Sequence, residues 1–203
     1  MERFQSNRVP RLRAVIVLHG AGGTILDGPE MRRVAESLAT SGHPTYLVYY
    51  FDRTGTIVGL DAGMQKNFDT WLATVRDAIV AVQKDCGNVE SVGIYGYSLG
   101  GFLALAVASD NSRVGAVLDH AGGIWNGKTE RIRNMPPVLV MHGERDERVP
   151  FAKYAKPLVA LLRNRGVKVE TRYFTDEGHG FSAAARKTVR EDAVKFFGRQ
   201  LQR

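Results

Sequence analysis

One cysteine, Cys86, is all the thiol chemistry that 203 residues carry. An internal disulfide framework is therefore excluded, and a cytoplasmic setting is the expectation. Neither H-E-x-x-H nor paired Cys/His spacing occurs, so no metal is expected. No apolar stretch approaches the ~20 residues that cross a bilayer. Behind the basic start (Arg3, Arg8, Arg11, Arg13), the run Ala14 to Leu18 falls short of the about 7–15 residues of a signal-peptide core. No export signal is read there. The 22 glycines follow no three-residue period, which excludes a collagen-like chain. Repeats, linkers and low-complexity segments are missing too, so the expectation is a single domain over residues 1–203.

What is present fits a folded protein with a real core: 44% of residues are hydrophobic and 24% charged. Lys and Arg number 28 against 21 Asp and Glu. Residues 1–150 hold 16 of each sign, so the whole excess lies in the last 53. A basic face can attract nucleic acid or acidic lipid headgroups. Here, however, Arg186, Lys187, Arg190, Lys195 and Arg199 fall between apolar positions at helical spacing, as on a solvated helix face. No nucleic-acid partner is expected.

Strand and helix signals alternate from end to end. Leu12 to Leu18 reads as a buried strand. Pro29 then opens a helix with Met31, Val34, Ala35 and Leu38 on one face, closed by Gly42. Thr45 to Phe51 is strand-like, and residues 52–66 read as a polar loop. Phe68, Trp71, Leu72, Val75, Ala78, Ile79 and Val82 mark the next helix. Further strands are expected at Ser91–Tyr97, Val114–Leu118, Pro137–Met141 and Val167–Phe174. Helices are expected at Leu99–Ala108 and 151–165, the latter bent or late to start because of Pro157, and at the C-terminal end. This order implies a three-layer α/β/α sandwich with a mostly parallel central sheet. Ligands in such sheets bind at the carboxyl ends of strands, so polar residues just after a strand are the suspects.

Gly96-Tyr97-Ser98-Leu99-Gly100 fits G-x-S-x-G between a strand and a helix. A serine in that sharp turn needs glycine on either side, where bulk would strike the neighbouring strand or helix. The turn lifts the hydroxyl above the sheet and aims the Leu99 N–H at a developing oxyanion. A serine hydroxyl needs a base, and the base an orienting acid, in the order Ser, acid, His for this arrangement. Asp146 follows the strand ending at Met141, and His179 follows the last strand; Gly178 and Gly180 are expected to let that loop turn. Among the rivals, His19 and His142 read as loop braces and His43 as solvent-exposed. His120 is the competing base and Asp119 the competing acid, though His120 precedes Asp146 in the chain. Asp176 and Glu177 read as flanks of the histidine loop. The Gly-rich loop His19-Gly20-Ala21-Gly22-Gly23 supplies a second oxyanion donor, Ala21 N–H, with Gly22 as the alternative.

Together these residues resemble the α/β-hydrolase superfamily, and within it the dienelactone-hydrolase-like group of small members without a cap domain. The likeness rests on Leu18-His19-Gly20, Gly96 to Gly101, His142-Gly143 with Asp146 and Val149-Pro150, and Gly178-His179-Gly180-Phe181, and runs from about residue 12 to the end. It implies Ser98 as nucleophile, Asp146 as acid, His179 as base, Ala21 and Leu99 as oxyanion donors, and no cofactor. Dienelactone hydrolase itself carries cysteine at the elbow, where this chain has Ser98, so the expectation is general hydrolysis of a small-molecule ester or thioester, with no lactone specificity read. Gly22, Arg53, Tyr97 and Trp125 are pocket candidates, Arg53 as a partner for a substrate carboxylate.

A competing motif needs an answer. Gly122 to Thr129 satisfies the phosphate-cradling G-x-x-x-x-G-K-[ST] after a strand. A P-loop runs into a substantial helix, whereas only Glu130 to Asn134 remain before Met135-Pro136. A nucleotide-binding protein using Lys128 and a non-catalytic binding relative are the alternatives to a serine hydrolase. Otherwise this segment is a loop overhanging the serine, with Trp125 at the pocket.

Overall fold

The computed structural model describes residues 1–5, 13–125 and 134–202. Within them the chain runs β1 (Glu2–Phe4), β2 (Val15–Leu18), α1 (Gly23–Leu26), α2 (Gly28–Thr40), β3 (Thr45–Val48), a 3-10 turn (Tyr50–Thr54), α3 (Asp61–Asp85) and β4 (Val92–Tyr97). Then follow α4 (Leu99–Ala108), β5 (Val114–His120), β6 (Val138–Gly143), α5 (Ala155–Asn164), β7 (Val169–Phe174) and α6 (Ala183–Gln200). The strands form one sheet in the order β1-β3-β2-β4-β5-β6-β7, parallel except for β1 against β3. This is the expected α/β/α architecture of the α/β-hydrolase type.

Alternation within each strand builds two cores. Ile16 and Leu18 of β2 join Trp71, Val75 and Leu103 on the side of α3 and α4, while Val15 and Val17 join Met31, Leu38 and Phe196 on the side of α2 and α6. Both faces being covered, the strands read as continuous apolar runs. Helix α4 is buried almost all round, as its unbroken apolar sequence requires. Chain order reverses between β2 and β4: β3 lies beyond one and β5 beyond the other. The crevice at their carboxyl ends is where such sheets bind ligands.

Several expectations need correction. The stretch from Thr45 leaves the sheet after Val48 and tightens into the 3-10 turn, because Tyr50 and Phe51 pack with Trp71 and His19 instead of pairing with a neighbouring strand. The polar loop read over 52–66 ends early, since α3 begins at Asp61. Its first turns are largely solvated, so they carry no apolar period. Strands β1 and helix α1 were too short to read. His43 is buried rather than exposed, with Nδ1 bound to the Arg13 carbonyl at 2.7 Å.

The basic α6 is laced with partners. Arg190 pairs with Glu30, Lys187 with Glu191, Lys195 with Asp192 and Arg199 with Glu170, while Arg186 donates to the Gly180 and Phe181 carbonyls. Leu12, Arg8 and Arg11 lie outside the described residues, as do residues 126–133, which include Lys128 and the P-loop-like segment from Asn126 to Thr129.

Candidate active site

Strand β4 turns directly into α4, and Ser98 occupies the corner with φ 52° and ψ −119°. That is a costly conformation for a residue with a Cβ, and it persists only where neighbours impose it. Two glycines make it reachable. A Cβ on Gly96 would lie 2.2 Å from the Gly100 carbonyl oxygen, and one on Gly100 would lie 2.5 Å from the Leu18 carbonyl oxygen. Strand, elbow and helix therefore touch backbone to backbone.

Ser98 Oγ is 2.9 Å from His179 Nε2, and His179 Nδ1 is 2.7 Å from Asp146 Oδ2. Asp146 Oδ1 accepts from the Arg148 and Val149 amides at 3.0 and 2.8 Å, which locks the carboxylate in place. Burial opposes its charge, but His142, His179 and the Val149 amide outweigh burial and hold its pKa below the ordinary range. His142 therefore belongs to the site: Nε2 faces Asp146 Oδ2 at 3.3 Å and the Val149 carbonyl at 2.8 Å. Hydroxyl, imidazole and carboxylate in this order can pass a proton from Ser98 while the acid holds the imidazole's tautomer.

The histidine loop owes its course to Gly143, a motif glycine to which the sequence attached no role in that loop. A Cβ on Gly143, at the end of β6, would lie 2.3 Å from the Glu177 carbonyl oxygen. By contrast Gly180 has nothing within 4 Å of a would-be Cβ and Gly178 only the Arg145 carbonyl oxygen at 3.6 Å, and neither has positive φ. The freedom expected of the two flanking glycines is thus not what shapes the loop; close passage over β6 is. Glu177 ties the loop to α6 by accepting from Ser182 N at 2.7 Å. Tyr97 donates to the His179 carbonyl at 3.1 Å and packs beside its ring.

On the opposite side, Gly20 and Gly22 wrap around Asp27, whose carboxylate oxygens would each lie 2.7 Å from a Cβ at those positions. The Gly22 amide donates to Asp27 Oδ2 at 3.0 Å, which commits it and removes it as an oxyanion donor. The Ala21 and Leu99 amides have no acceptor among the described residues. Burial raises the pKa of Asp27 despite the backbone amides it binds. Asp27 escaped sequence reasoning because its partner loop comes before it and only folding closes the pair.

Ser98 opens on a cavity of about 690 Å³ walled by Leu60, Met64, Phe102, Trp125, Arg148 and Tyr154, with Ala21 and Leu99 beside the hydroxyl. Trp125 is thus in the pocket. Tyr97 is not, and neither is Gly22. Arg53 is absent for a physical reason: the 3-10 turn directs it to an ion pair with Asp77 of α3 at 2.8 Å, at the surface. Arg148 is the cation on the cavity wall, and its guanidinium makes no ion pair with the described residues.

The rival residues are otherwise engaged. His120 Nδ1 meets the Tyr95 hydroxyl at 2.6 Å, and burial pushes its pKa down to about 3. His19, stacked on Tyr50, bonds the Gly20 carbonyl, and burial lowers it to about 4. Asp119 is buried beneath the elbow, where a Cβ on Gly101 or Gly122 would come within 2.2 Å of its Oδ1. The first glycine of the P-loop-like segment therefore packs on the elbow. The Gly122 amide favours the Asp119 charge electrostatically but lies outside hydrogen-bonding geometry, and neither carboxylate oxygen has a hydrogen-bond partner among the described residues.

Burial raises Asp119 to about 7 from an ordinary 3.8. A raised carboxyl stabilises the fold fully below its unfolded pKa and loses that contribution as pH rises through the folded one. The unfolding midpoint of Asp119→Asn relative to wild type should therefore climb between about pH 4 and 7 and level off above. A flat difference across that range, by thermal melts at several pH values, would show that the carboxyl does not stay protonated.

The Dienelactone hydrolase family matches residues 3–201. The chain belongs to that family. As a dienelactone hydrolase family member it is a hydrolase of ester bonds, with the sheet and helix order described above. No curated protein matches the sequence. Among solved structures it is similar to a dienelactone hydrolase-like promiscuous phosphotriesterase from metagenomic libraries, with a TM-score of 0.75 and 20% identity over 96% of this chain and 89% of that one. It is also similar to Est1E from Butyrivibrio proteoclasticus (0.71, 16%, 96% and 90%) and to a phospholipase/carboxylesterase from Dyadobacter fermentans DSM 18053 (0.70, 19%, 94% and 93%). At these identities the likeness is one of fold.

Proposed function

We propose that this family member is a serine hydrolase of small carboxylic esters or thioesters, working through an acyl-enzyme on a single domain. The observation that carries the reading is the unbroken chain Ser98–His179–Asp146, at 2.9 and 2.7 Å, with Ser98 opening on the cavity. His179 Nε2 takes the Ser98 proton as Oγ attacks the carbonyl carbon. The oxyanion that forms is met by the Ala21 and Leu99 amides, Leu99 being the first residue of a helix whose dipole favours negative charge. The protonated imidazole then hands its proton to the departing alcohol or thiol, leaving the acyl group on Ser98. Water repeats the sequence with His179 as base and releases the acid. Asp146 stays ionised throughout and stabilises the imidazolium.

A fluorophosphonate probe forms a covalent adduct with a serine activated in this way. Wild type should be labelled stoichiometrically, and Ser98→Ala should not be labelled and should lose turnover of p-nitrophenyl esters. Equal labelling of both would refute the assignment of Ser98.

A further inference from the structure

His142, the last residue but one of β6, has one nitrogen at work and one idle. Its ring is fully buried, and Nδ1 has no hydrogen-bond partner among the described residues. Nε2 lies 2.8 Å from the Val149 carbonyl, which can only accept, so Nε2 carries the hydrogen. The same nitrogen faces Asp146 Oδ2 at 3.3 Å. Both contacts run to the loop that carries the acid. If filling space were the ring's whole task, an unpaired buried nitrogen would be pure cost.

The acid loop closes on itself through the carboxylate. Asp146 N donates to the Gly143 carbonyl at 3.2 Å, and Oδ1 accepts from the Arg148 and Val149 amides. Val149 is thus held from two sides, by Oδ1 at its amide and by His142 at its carbonyl. Oδ2 meets two imidazoles, His179 Nδ1 at 2.7 Å and His142 Nε2 at 3.3 Å. A second N–H edge on Oδ2 favours the ionised carboxylate in the orientation that serves His179, and His142 leads the groups that hold the Asp146 pKa down against burial. The sequence reads His142 as a loop brace, and the geometry names what is braced. We propose that His142 is a positioning residue, whose Nε2–H, set between the Val149 carbonyl and Asp146 Oδ2, fixes the carboxylate that in turn fixes the tautomer and direction of His179. This role rests on the serine-hydrolase reading.

The test compares wild type with His142→Gln and His142→Asn on a p-nitrophenyl ester, alone and in an Asp146→Asn background. Glutamine can set an N–H where the imidazole Nε2 lies; asparagine, one methylene shorter, reaches only as far as Nδ1. In His142→Asn, kcat should fall about 10-fold or more with KM within about twofold of wild type, the effect of a lost donor to a charged group. His142→Gln should restore kcat to within about threefold of wild type. With Asp146→Asn already in place, His142→Asn should cost less than about twofold, since the group it acts through is gone. Full activity in His142→Asn overturns the role and leaves the serine-hydrolase reading standing. Equal losses in the two amides also overturn it, by assigning the effect to the ring's bulk or charge, as does a loss that persists in the Asp146→Asn background. A wild type that turns over no ester and takes no fluorophosphonate label removes the serine-hydrolase reading, and the role with it. Should His142→Asn not fold, nitrogen-edited NMR spectra of wild type, with the ring assigned by the signal missing from His142→Gln, should show a hydrogen on Nε2. A bare Nε2 overturns the proposal.

Discussion

Turnover of a p-nitrophenyl ester is expected to fall about 10⁶-fold in His179→Ala and about 10⁴-fold in Asp146→Asn. His179 is within hydrogen-bonding distance of Ser98 Oγ, and without it the hydroxyl must lose its proton to water. Asparagine at 146 keeps an oxygen for the Arg148 and Val149 amides, so the loop keeps its anchor. What it lacks is a second acceptor: its amide would present N–H groups to His179 Nδ1 and His142 Nε2, which both face Oδ2. The imidazole then favours the tautomer that cannot accept from serine. Because the three groups act as one unit, the double variant should be no slower than His179→Ala alone. Single-turnover measurements of the acylation step would check this. If Asp146→Asn retained turnover within tenfold of wild type, the carboxylate would have no part in orienting the base.

Gly96→Ala is expected to be the most damaging small substitution in the elbow. All three atoms nearest the new methyl are backbone: Gly100 O at 2.2 Å, Gly100 C at 2.4 Å and Gly101 N at 2.6 Å. No rotamer change relieves such contacts, so α4 must move off β4. Destabilisation should exceed about 4 kcal/mol, the range reserved for buried overpacking and backbone strain. At about 2–4 °C per kcal/mol for a chain of this size, the unfolding midpoint should drop by roughly 8 °C or more. Gly180→Ala is the control, since nothing lies within 4 Å of its added carbon, and it should change stability by less than about 0.5 kcal/mol. Thermal melts of the two variants side by side test the claim. Equal, small shifts would mean that the elbow tolerates a side chain before Ser98 and that its geometry is not set by that contact.

The contrast between Gly96 and Gly180 shows how far a linear pattern reaches. Both glycines lie within two residues of a functional residue, yet one is crowded by backbone and the other faces open space. The G-x-S-x-G pattern is legible because its constraints are local: strand, turn and helix are contiguous in the chain. The course of the histidine loop depends instead on Gly143, 36 positions before His179, meeting Glu177 across two strands. Arg53 illustrates the same limit. A cation near a strand end qualifies as a substrate contact from sequence, but the 3-10 turn at Tyr50–Thr54 carries it to Asp77, 24 residues further on in α3. His43 precedes a proline in a turn, which suggests exposure, and is covered by packing against Phe197.

By itself, the sequence determined the layered α/β class, the strand-to-helix elbow and the chemical identity and chain order of Ser98, Asp146 and His179. Each of these is written in short-range patterns: apolar period, turn residues and polar groups placed just past a strand. Only the tertiary structure decided that the three side chains meet in hydrogen-bonding geometry, that Gly143 and Glu177 touch, and that Arg53 pairs with Asp77 at the surface. Those outcomes depend on contacts between segments far apart in the chain, and their distances are set by how sheet and helices pack.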